Sequence, residues 1–167
     1  MKKMLMPALI AVIVIQLFVP VYMIVNKYDI LKTGEEFKFR VSPVDPYDAF
    51  RGRYVSLYPE QGQGSYGGGR YGVIAVGADG FARVSSVSDK KPASGAYVKS
   101  SDRFSFSLPV DRYYMNEKLA PEAEALVQQG EAGKEAYVTA RVKNGGLIVT
   151  GLFIDGVAIE DIIRNGS

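Results

Sequence analysis

A run of 22 residues, Met4 to Val25, carries no charged side chain, and this run constrains the fold more than any other feature of the sequence. As a helix at ~1.5 Å per residue it is about 33 Å long, enough to cross a hydrocarbon core of about 30 Å. Only Gln16, Pro7 and Pro20 interrupt its apolar composition. A soluble core helix rarely stays apolar on every face for that length. The sequence therefore predicts a transmembrane helix over residues 4–25, in contact with the lipid bilayer.

A cleaved signal peptide is the alternative to an anchor. Its apolar region is normally ~7–15 residues long and is followed by small residues at the cleavage site. The run here is longer, and no pair of small residues occurs between Val19 and Val25. We therefore expect an uncleaved anchor over residues 1–26, followed by one domain over residues 27–167. Lys2 and Lys3 favour a cytoplasmic N-terminus by the positive-inside rule, which puts the domain outside the cytoplasm.

The charge and composition of the remaining chain exclude several functional classes. The formal net charge is +2, and Lys2 and Lys3 are the only charged residues before Lys27, so the rest has equal numbers of basic and acidic residues. A nucleic-acid-binding domain normally carries a basic patch, and we expect no nucleic-acid partner. The chain has no His and no Cys, which excludes His or Cys metal ligands, Ser-His-Asp catalysis and disulfides. We expect no metal site and no cofactor.

Alternating apolar and polar residues predict a mainly β domain. Two hairpins are indicated by turn residues between strand-like runs: Ala78-Asp79-Gly80 in the first and Asn144-Gly145-Gly146 in the second. The predicted strands cover residues 37–41, 54–58, 72–76, 81–87, 97–99, 104–106, 136–142, 147–154 and 157–159. With one helix among so many strands, an antiparallel β sandwich or a partly open barrel is expected rather than an alternating βαβ fold.

Two segments depart from the strand pattern. Residues 121–129 begin with Pro121, carry acids in the first turn and are followed by Gly130, which predicts one short helix. The Gly-rich segment from Gln61 to Gly69 lacks the Gly-Lys-Ser/Thr that a phosphate-binding loop needs, so it is interpreted as a loop between strands.

The densest polar cluster precedes and enters the second predicted strand. Its candidate site residues, interpreted as a ligand- or partner-binding group or as a turn stabilised by ion pairs, are Asp45, Asp48, Arg51, Gly52, Arg53, Tyr54, Leu57 and Tyr58. Aspartates beside Pro46 suit a tight turn in which carboxylates accept backbone N–H groups. The side chains of Arg51 and Arg53, which are two residues apart, are expected to project to one face of a strand.

Gly52, Tyr54 and Leu57, with the preceding Asp-Pro-x-Asp-x-x-Arg, resemble the GDYXXLXY protein family, whose members are membrane-anchored bacterial proteins. Two positions depart from the family motif. Arg53 stands where the motif has Asp, and Tyr58 directly follows Leu57, so that Pro59 stands where the last motif Tyr is expected. The resemblance extends to residues 106–126 and 147–157, and with the anchor it covers most of the chain.

The resemblance implies a bacterial inner-membrane protein with a periplasmic domain and no established activity. It also implies an envelope partner, for which a multi-pass membrane protein is the expected class. Because Arg53 reverses the charge at the motif centre, a catalytic or metal-binding role for that position is not expected. We interpret the protein as a non-catalytic interaction or accessory component of an envelope membrane complex.

Two alternatives to that interpretation stay open at this point. One is an envelope hydrolase, either a signal-peptidase-like enzyme that pairs Ser42 or Ser56 with Lys99, or an enzyme with paired carboxylates. The other is a glycan- or peptide-binding module in which tyrosines around the Gly-rich loop supply the contact area. Those tyrosines are Tyr54, Tyr58, Tyr66 and Tyr71.

Overall fold

The fold is described from a computed structural model, which covers residues 2–43, 54–59, 68–102, 106–110, 112–115, 119, 123 and 135–166. The elements in chain order are helix α1 (Lys2–Thr33), strands β1 (Glu35–Pro43), β2 (Tyr54–Pro59), β3 (Tyr71–Val76), β4 (Ala82–Ser88), β5 (Tyr97–Lys99), β6 (Arg112–Tyr114), β7 (Ala136–Lys143), β8 (Gly146–Ile154) and β9 (Val157–Ala158), and helix α2 (Ile159–Gly166).

The long N-terminal helix is apolar and exposed over most of its length. Among the described residues it contains one stretch, Val12–Thr33, that is long and apolar enough to cross a membrane. Only 6% of the most apolar segment of that stretch is buried. Phe18 and Ile24 are 66% and 68% exposed, whereas Ile30 is only 7% exposed. The helix therefore has an uncovered apolar part and a final turn that packs against the rest of the protein.

The strands form two antiparallel sheets, and no closed barrel occurs in the part of the chain that is described. The larger sheet has the order β6-β2-β1-β7-β8-β9, and the smaller has the order β4-β3-β5. In β1, residues 35–40 pair with β7 while residues 41–43 pair with β2. Strands β2 and β6 thus extend the sheet beyond the end of β1 that is farther from α1.

Both sheets contribute to one hydrophobic core, because alternate residues of each strand point inward. The larger sheet supplies Phe37, Phe39, Val41, Val138, Ala140, Leu152 and Ile154, and the smaller supplies Ile74, Ala82, Val84 and Val98. Phe106, Leu108 and Val110, which lie outside the strands, are at most 1% exposed and complete this core. The mainly β fold class is therefore confirmed.

Both predicted hairpins are confirmed, β3–β4 and β7–β8. The second has Asn144 at φ 52° and Gly145 at φ 83°, the positive values that a tight hairpin turn needs at both central positions.

Three details of the predicted elements differ from the structure. Strand β6 was not expected, and Phe106 lies outside the strands although residues 104–106 were predicted to form one. The predicted strand 157–159 stops at Ala158, because Ile159 begins the unpredicted helix α2, whose side chains Ile159 and Ile163 are buried in the core. Of the predicted helix 121–129, Ala123 is helical and buried, and its other residues lie outside the described part.

Candidate functional site

The sequence-predicted cluster lies only in part within the described residues. Asp45, Asp48, Arg51, Gly52 and Arg53 fall outside them. The other three lie on β2: Leu57 is buried at 3% exposure, Tyr58 pairs with Ser42 of β1, and Tyr54 pairs with Tyr114 of β6. The described part of the cluster is therefore a strand held between two neighbours, with its Leu in the core.

The Ser and Lys residues considered for a hydrolase are placed in different sheets. Ser42 lies on β1 in the larger sheet, and Lys99 ends β5 in the smaller sheet. The side chain of Lys99 is exposed, whereas a lysine base has to be desolvated before it loses its proton near neutral pH. Neither the separation into two sheets nor the exposure of Lys99 favours a catalytic Ser/Lys pair.

An ion-pair cluster that the sequence did not indicate joins the two sheets at the end far from α1; we call it the distal cluster, formed by Arg40, Asp79, Arg83 and Glu135. Arg40 lies on β1, about 16 Å beyond Glu35 at ~3.3 Å per residue. Its Nη1 donates to Asp79 Oδ2 at 2.8 Å and its Nε to Glu135 Oε1 at 2.6 Å. Arg83 Nη2 also donates to Asp79 Oδ2, at 2.5 Å.

A series of packed aromatic rings lies against the arginine at the centre of the distal cluster. The Arg40 guanidinium lies 4.2 Å from the centroid of Phe81, a cation–π contact. Phe81 meets Tyr137 edge-on at 5.6 Å, and Tyr137 stacks on Phe153 at 5.2 Å. The order Arg40, Tyr137, Phe153 follows the pairing of β1, β7 and β8. The turn of the β3–β4 hairpin is thereby fixed on the larger sheet.

The charge states of the distal cluster follow from these contacts. Partial burial pulls the pKa of Asp79 upward, but the N–H of Phe81 and the charges of Arg83 and Arg40 outweigh it, so the pKa lies below its usual value. The hydrogen bond to Glu135 is the largest cause of the raised pKa of Arg40. Both shifts favour the charged forms of Asp79 and Arg40 at neutral pH.

The distal cluster has no space for a ligand. The cavity beside Arg40, Arg83 and Phe81 measures about 10 Å³, which is at most one water molecule. Its two arginines are paired with its two acids. We assign it a structural role, the clamping of one sheet to the other.

The junction between α1 and the domain is a second cluster absent from the sequence-based expectations. Lys143 Nζ donates to both carboxylate oxygens of Asp29, at 2.9 and 2.7 Å, and to Thr33 Oγ1 at 2.6 Å. Arg141 Nη1 donates to the carbonyl of Leu31 at 3.0 Å. A Cβ on Gly146 would lie 2.6 Å from Ile30 Cδ1, so the absence of a side chain there lets the helix approach the hairpin.

A single residue connects the helix to the sheet. Gly34 alone separates Thr33 from Glu35, and its N–H donates to the Ile30 carbonyl at 2.8 Å. A Cβ on Gly34 would lie 2.4 Å from that carbonyl oxygen and 3.2 Å from Arg141 Cβ. The helix is therefore coupled directly to the β7–β8 hairpin, with no flexible linker between them.

A larger cavity lies at the ends of β3 and β5 that are near this junction. It measures about 510 Å³ and is lined by Arg70, Lys99, Ser100, Ser101 and Asp102. That volume is in the range of small-ligand sites. Sequence reasoning considered only Lys99 of this group; the available signal for Arg70 was its position directly after the Gly-rich segment.

These features define a class of protein: a long apolar helix fixed to a two-sheet β domain, with ion pairs that join the two sheets to each other and the helix to the domain. The model of the GDYXXLXY protein family matches residues 16–152, most of the chain, and the protein belongs to that family. The resemblance first seen around Gly52, Tyr54 and Leu57 is thus confirmed. Neither the curated proteins nor the solved structures contain a match.

Proposed function

We propose that this protein is a single-pass protein of the bacterial inner membrane that holds its β domain at the extracytoplasmic surface. Residues 4–25 cross the bilayer, the N-terminus is cytoplasmic, and the domain of residues 27–167 is periplasmic. The domain acts without catalysis, as an interaction or accessory component of an envelope membrane complex. Its expected partner is a multi-pass membrane protein.

The observation that carries this proposal is that the apolar helix ends inside the fold of the domain. Its lipid-length part is exposed, with Leu17 and Ile24 at 65% and 68%, yet Ile30 is buried and Asp29 is bound by Lys143. A cleavable leader has no reason to contribute side chains to the mature fold. The junction therefore supports a permanent anchor.

The internal ion pairs support a role without catalysis. In the described part of the chain, the distal cluster satisfies its own charges, and the cavity next to it holds no more than a water. Lys99, considered as a base, is exposed. Lys99 does line the cavity of about 510 Å³, but a lysine base has to be desolvated before it loses its proton near neutral pH.

The surface offered to a partner is the β6 edge of the larger sheet. Among the described strands β6 is an end strand, and its Tyr114 is 67% exposed. Exposed aromatic residues are enriched in protein interfaces, where they contribute large area at low entropy cost. Strand β6 pairs with β2, at whose start the family motif residue Tyr54 lies.

Co-purification of the full-length protein from its native membrane tests the interaction. Asp45→Ala/Arg51→Ala and, separately, Tyr114→Ala are expected to lose a co-purifying multi-pass protein while circular dichroism stays unchanged. Val157→Ala is the matched control, since Val157 is exposed at the opposite edge strand. If every variant retains the partner, the β6 edge is not the interface; if the domain unfolds in Asp45→Ala/Arg51→Ala, that cluster is structural.

Topology and catalysis have separate tests. The chain has no Cys, so Ala78→Cys supplies a single thiol that a membrane-impermeant reagent labels from the periplasmic side of intact cells. Labelling only after lysis would contradict the proposed orientation.

Covalent labelling by a serine-reactive probe, abolished by Ser42→Ala or Ser56→Ala, would favour the hydrolase instead.

A further inference from the structure

The contacts at the helix junction set the direction of the β7–β8 hairpin relative to the bilayer. The Leu31 carbonyl accepts from Arg141, and the Asp29 carboxylate, which is closer to the apolar part of α1, accepts from Lys143. Lys143 is also closer to the hairpin turn than Arg141 is. The turn of the hairpin therefore points in the same direction as the apolar part of the helix, toward the membrane.

The distance along the helix places this turn at headgroup depth. Ile30, which packs on Gly146, lies five residues after Val25, the last residue of the uncharged run. Five residues of helix rise about 7.5 Å. The headgroup layer extends about 5–7 Å beyond the hydrocarbon core on each side. Residues at the hairpin turn, one or two positions beyond the contact with Asp29, therefore lie within or beside that layer.

The smaller sheet has the same orientation, as contacts at both of its ends show. At its far end the β3–β4 turn is fixed to Arg40 through Asp79. At its near end the N–H of Lys99 donates to the carbonyl of Gly145 at 2.8 Å, in the β7–β8 turn. Tyr71 pairs with Lys99, so Arg70, before β3, and the residues after β5 lie on the membrane side.

The cavity of about 510 Å³ is therefore on the face of the domain that meets the lipid. Arg70 and Lys99 line it, and Asp102 offsets one of their charges. The hydroxyl groups of Ser100 and Ser101 stabilise the loop itself, since Ser101 Oγ donates to the Ser107 carbonyl and Ser100 Oγ accepts the N–H of Ser107. Lys91 lies over the ring of Tyr97, whose edge would be 2.9 Å from a Cβ on Gly145, and so adds a positive charge beside the same turn.

We propose that this cavity binds the phosphate of an anionic phospholipid headgroup and so fixes the domain against the bilayer. The inference depends on the proposed membrane anchoring, because the helix defines which face meets the lipid. Guanidinium and ammonium groups donate charge-assisted hydrogen bonds to phosphate oxygens, and cations at a membrane surface favour anionic lipids. The shared chemistry is a phosphate; the geometry assigns its source to the lipid.

Depth measurements test the orientation with the full chain in vesicles of phosphatidylcholine and phosphatidylglycerol. Because the protein has no Cys, Asn144→Cys and Ala78→Cys each carry one fluorescent label, at the near turn and the far turn. A quencher on the lipid headgroup is expected to quench the label at 144 and leave the label at 78 unaffected. Equal quenching of both labels would overturn the proposed orientation. If the protein does not float with the vesicles at all, the anchor itself is refuted, which is a different result.

Lipid selectivity tests the cavity. In bilayer discs of equal phosphatidylcholine and phosphatidylglycerol, native mass spectrometry is expected to show phosphatidylglycerol enriched on the protein. Arg70→Gln/Lys99→Gln is expected to reduce that enrichment about fivefold for each charge removed. The matched control is Lys38→Gln/Arg164→Gln, which removes two exposed cations away from the cavity and is expected to leave it unchanged. Equal loss in both variants, or saturable binding of inorganic phosphate without phosphatidylglycerol enrichment, would overturn the proposal.

Discussion

At the scale of single residues, Asp79 shows how a turn residue becomes a tertiary contact. It accepts from Arg40 and Arg83, and its other oxygen accepts the Phe81 N–H at 3.3 Å. We expect Asp79→Asn to lower the melting temperature at neutral pH by a few degrees at most, because the partners are partly exposed. Asp89→Asn removes the same charge at an exposed site and is the control.

The lowered pKa of Asp79 determines how the effect of Asp79→Asn on the melting temperature depends on pH. The pKa of Asp79 is lowered in the folded state, so its contribution is complete above the unfolded value of ~3.9 and is lost as the pH falls through the folded value. The difference in melting temperature between the protein and Asp79→Asn is therefore expected to be constant from pH 5 to 7 and to shrink below about pH 4. A difference that persists at pH 2 would contradict the ion-pair account.

Gly72 lies in β3 where an aromatic ring occupies the place of a side chain. A Cβ there would lie 2.3 Å from Phe106 Cζ, and Phe106 is 1% exposed. Gly72→Ala is expected to destabilise the domain by about 1–3 kcal/mol in denaturant unfolding, as overpacked cores do. Phe106→Leu replaces the ring by a smaller side chain and so makes room for the new methyl group. The double variant should therefore lose less free energy of unfolding than the sum of the two single changes. Strict additivity would show that the two residues do not compete for this space.

At the scale of elements, the helix junction combines its polar contacts with one close apolar approach. Gly146→Ala would bring a methyl group to 2.6 Å from Ile30 Cδ1, so the Ile30 side chain would have to shift and its packing on the hairpin would loosen. We expect amide exchange at Gly34, whose N–H donates to Ile30, to accelerate about tenfold or more, the factor that corresponds to ~1.4 kcal/mol of lost local stability. Ile30→Val removes that Cδ1 and is expected to restore protection in the Gly146→Ala background. Unchanged exchange in Gly146→Ala would mean that the contact is not limiting.

The elements that sequence reasoning found are those with local signals. The Asn144-Gly145 turn is recognisable because both positions need positive φ. The strand predicted over residues 157–159 is confirmed at Val157–Ala158, but helix α2 is absent from the prediction, although Glu160 and Asp161 in its first turn and the four-residue spacing of Ile159 and Ile163 are helical signals. Strand β6 is too short to have a pattern, and its pairing with β2 decides its conformation.

Long-range contacts explain why the candidate sites were less predictable than the fold. Arg40 meets partners 39 and 95 residues away, at Asp79 and Glu135, and Lys143 meets Asp29 over 114 residues. Alternation could place Arg40 on the polar face of β1, but it could not select its partners among the acids of the chain. The motif that identified the family could be recognised because it is contiguous in sequence.

At the scale of the whole molecule, the direct connection of helix to sheet makes the orientation of the domain a property of the anchor. Gly34 is the only residue between α1 and β1, and Asp29, Lys143 and Arg141 bind across the junction. Insertion of a Gly-Ser-Gly-Ser segment after Gly34 is expected to leave the core intact and to free the domain. Spin labels at Leu17→Cys and Val76→Cys, both exposed sites, should give a narrow distance distribution in the native chain. The distribution should broaden in the insertion variant, because short Gly/Ser segments behave as flexible coils. The same insertion should weaken selective retention of phosphatidylglycerol, since the charged face would no longer be held at headgroup depth. An equally broad distribution without the insertion would show that the junction does not transmit the orientation of the helix to the domain.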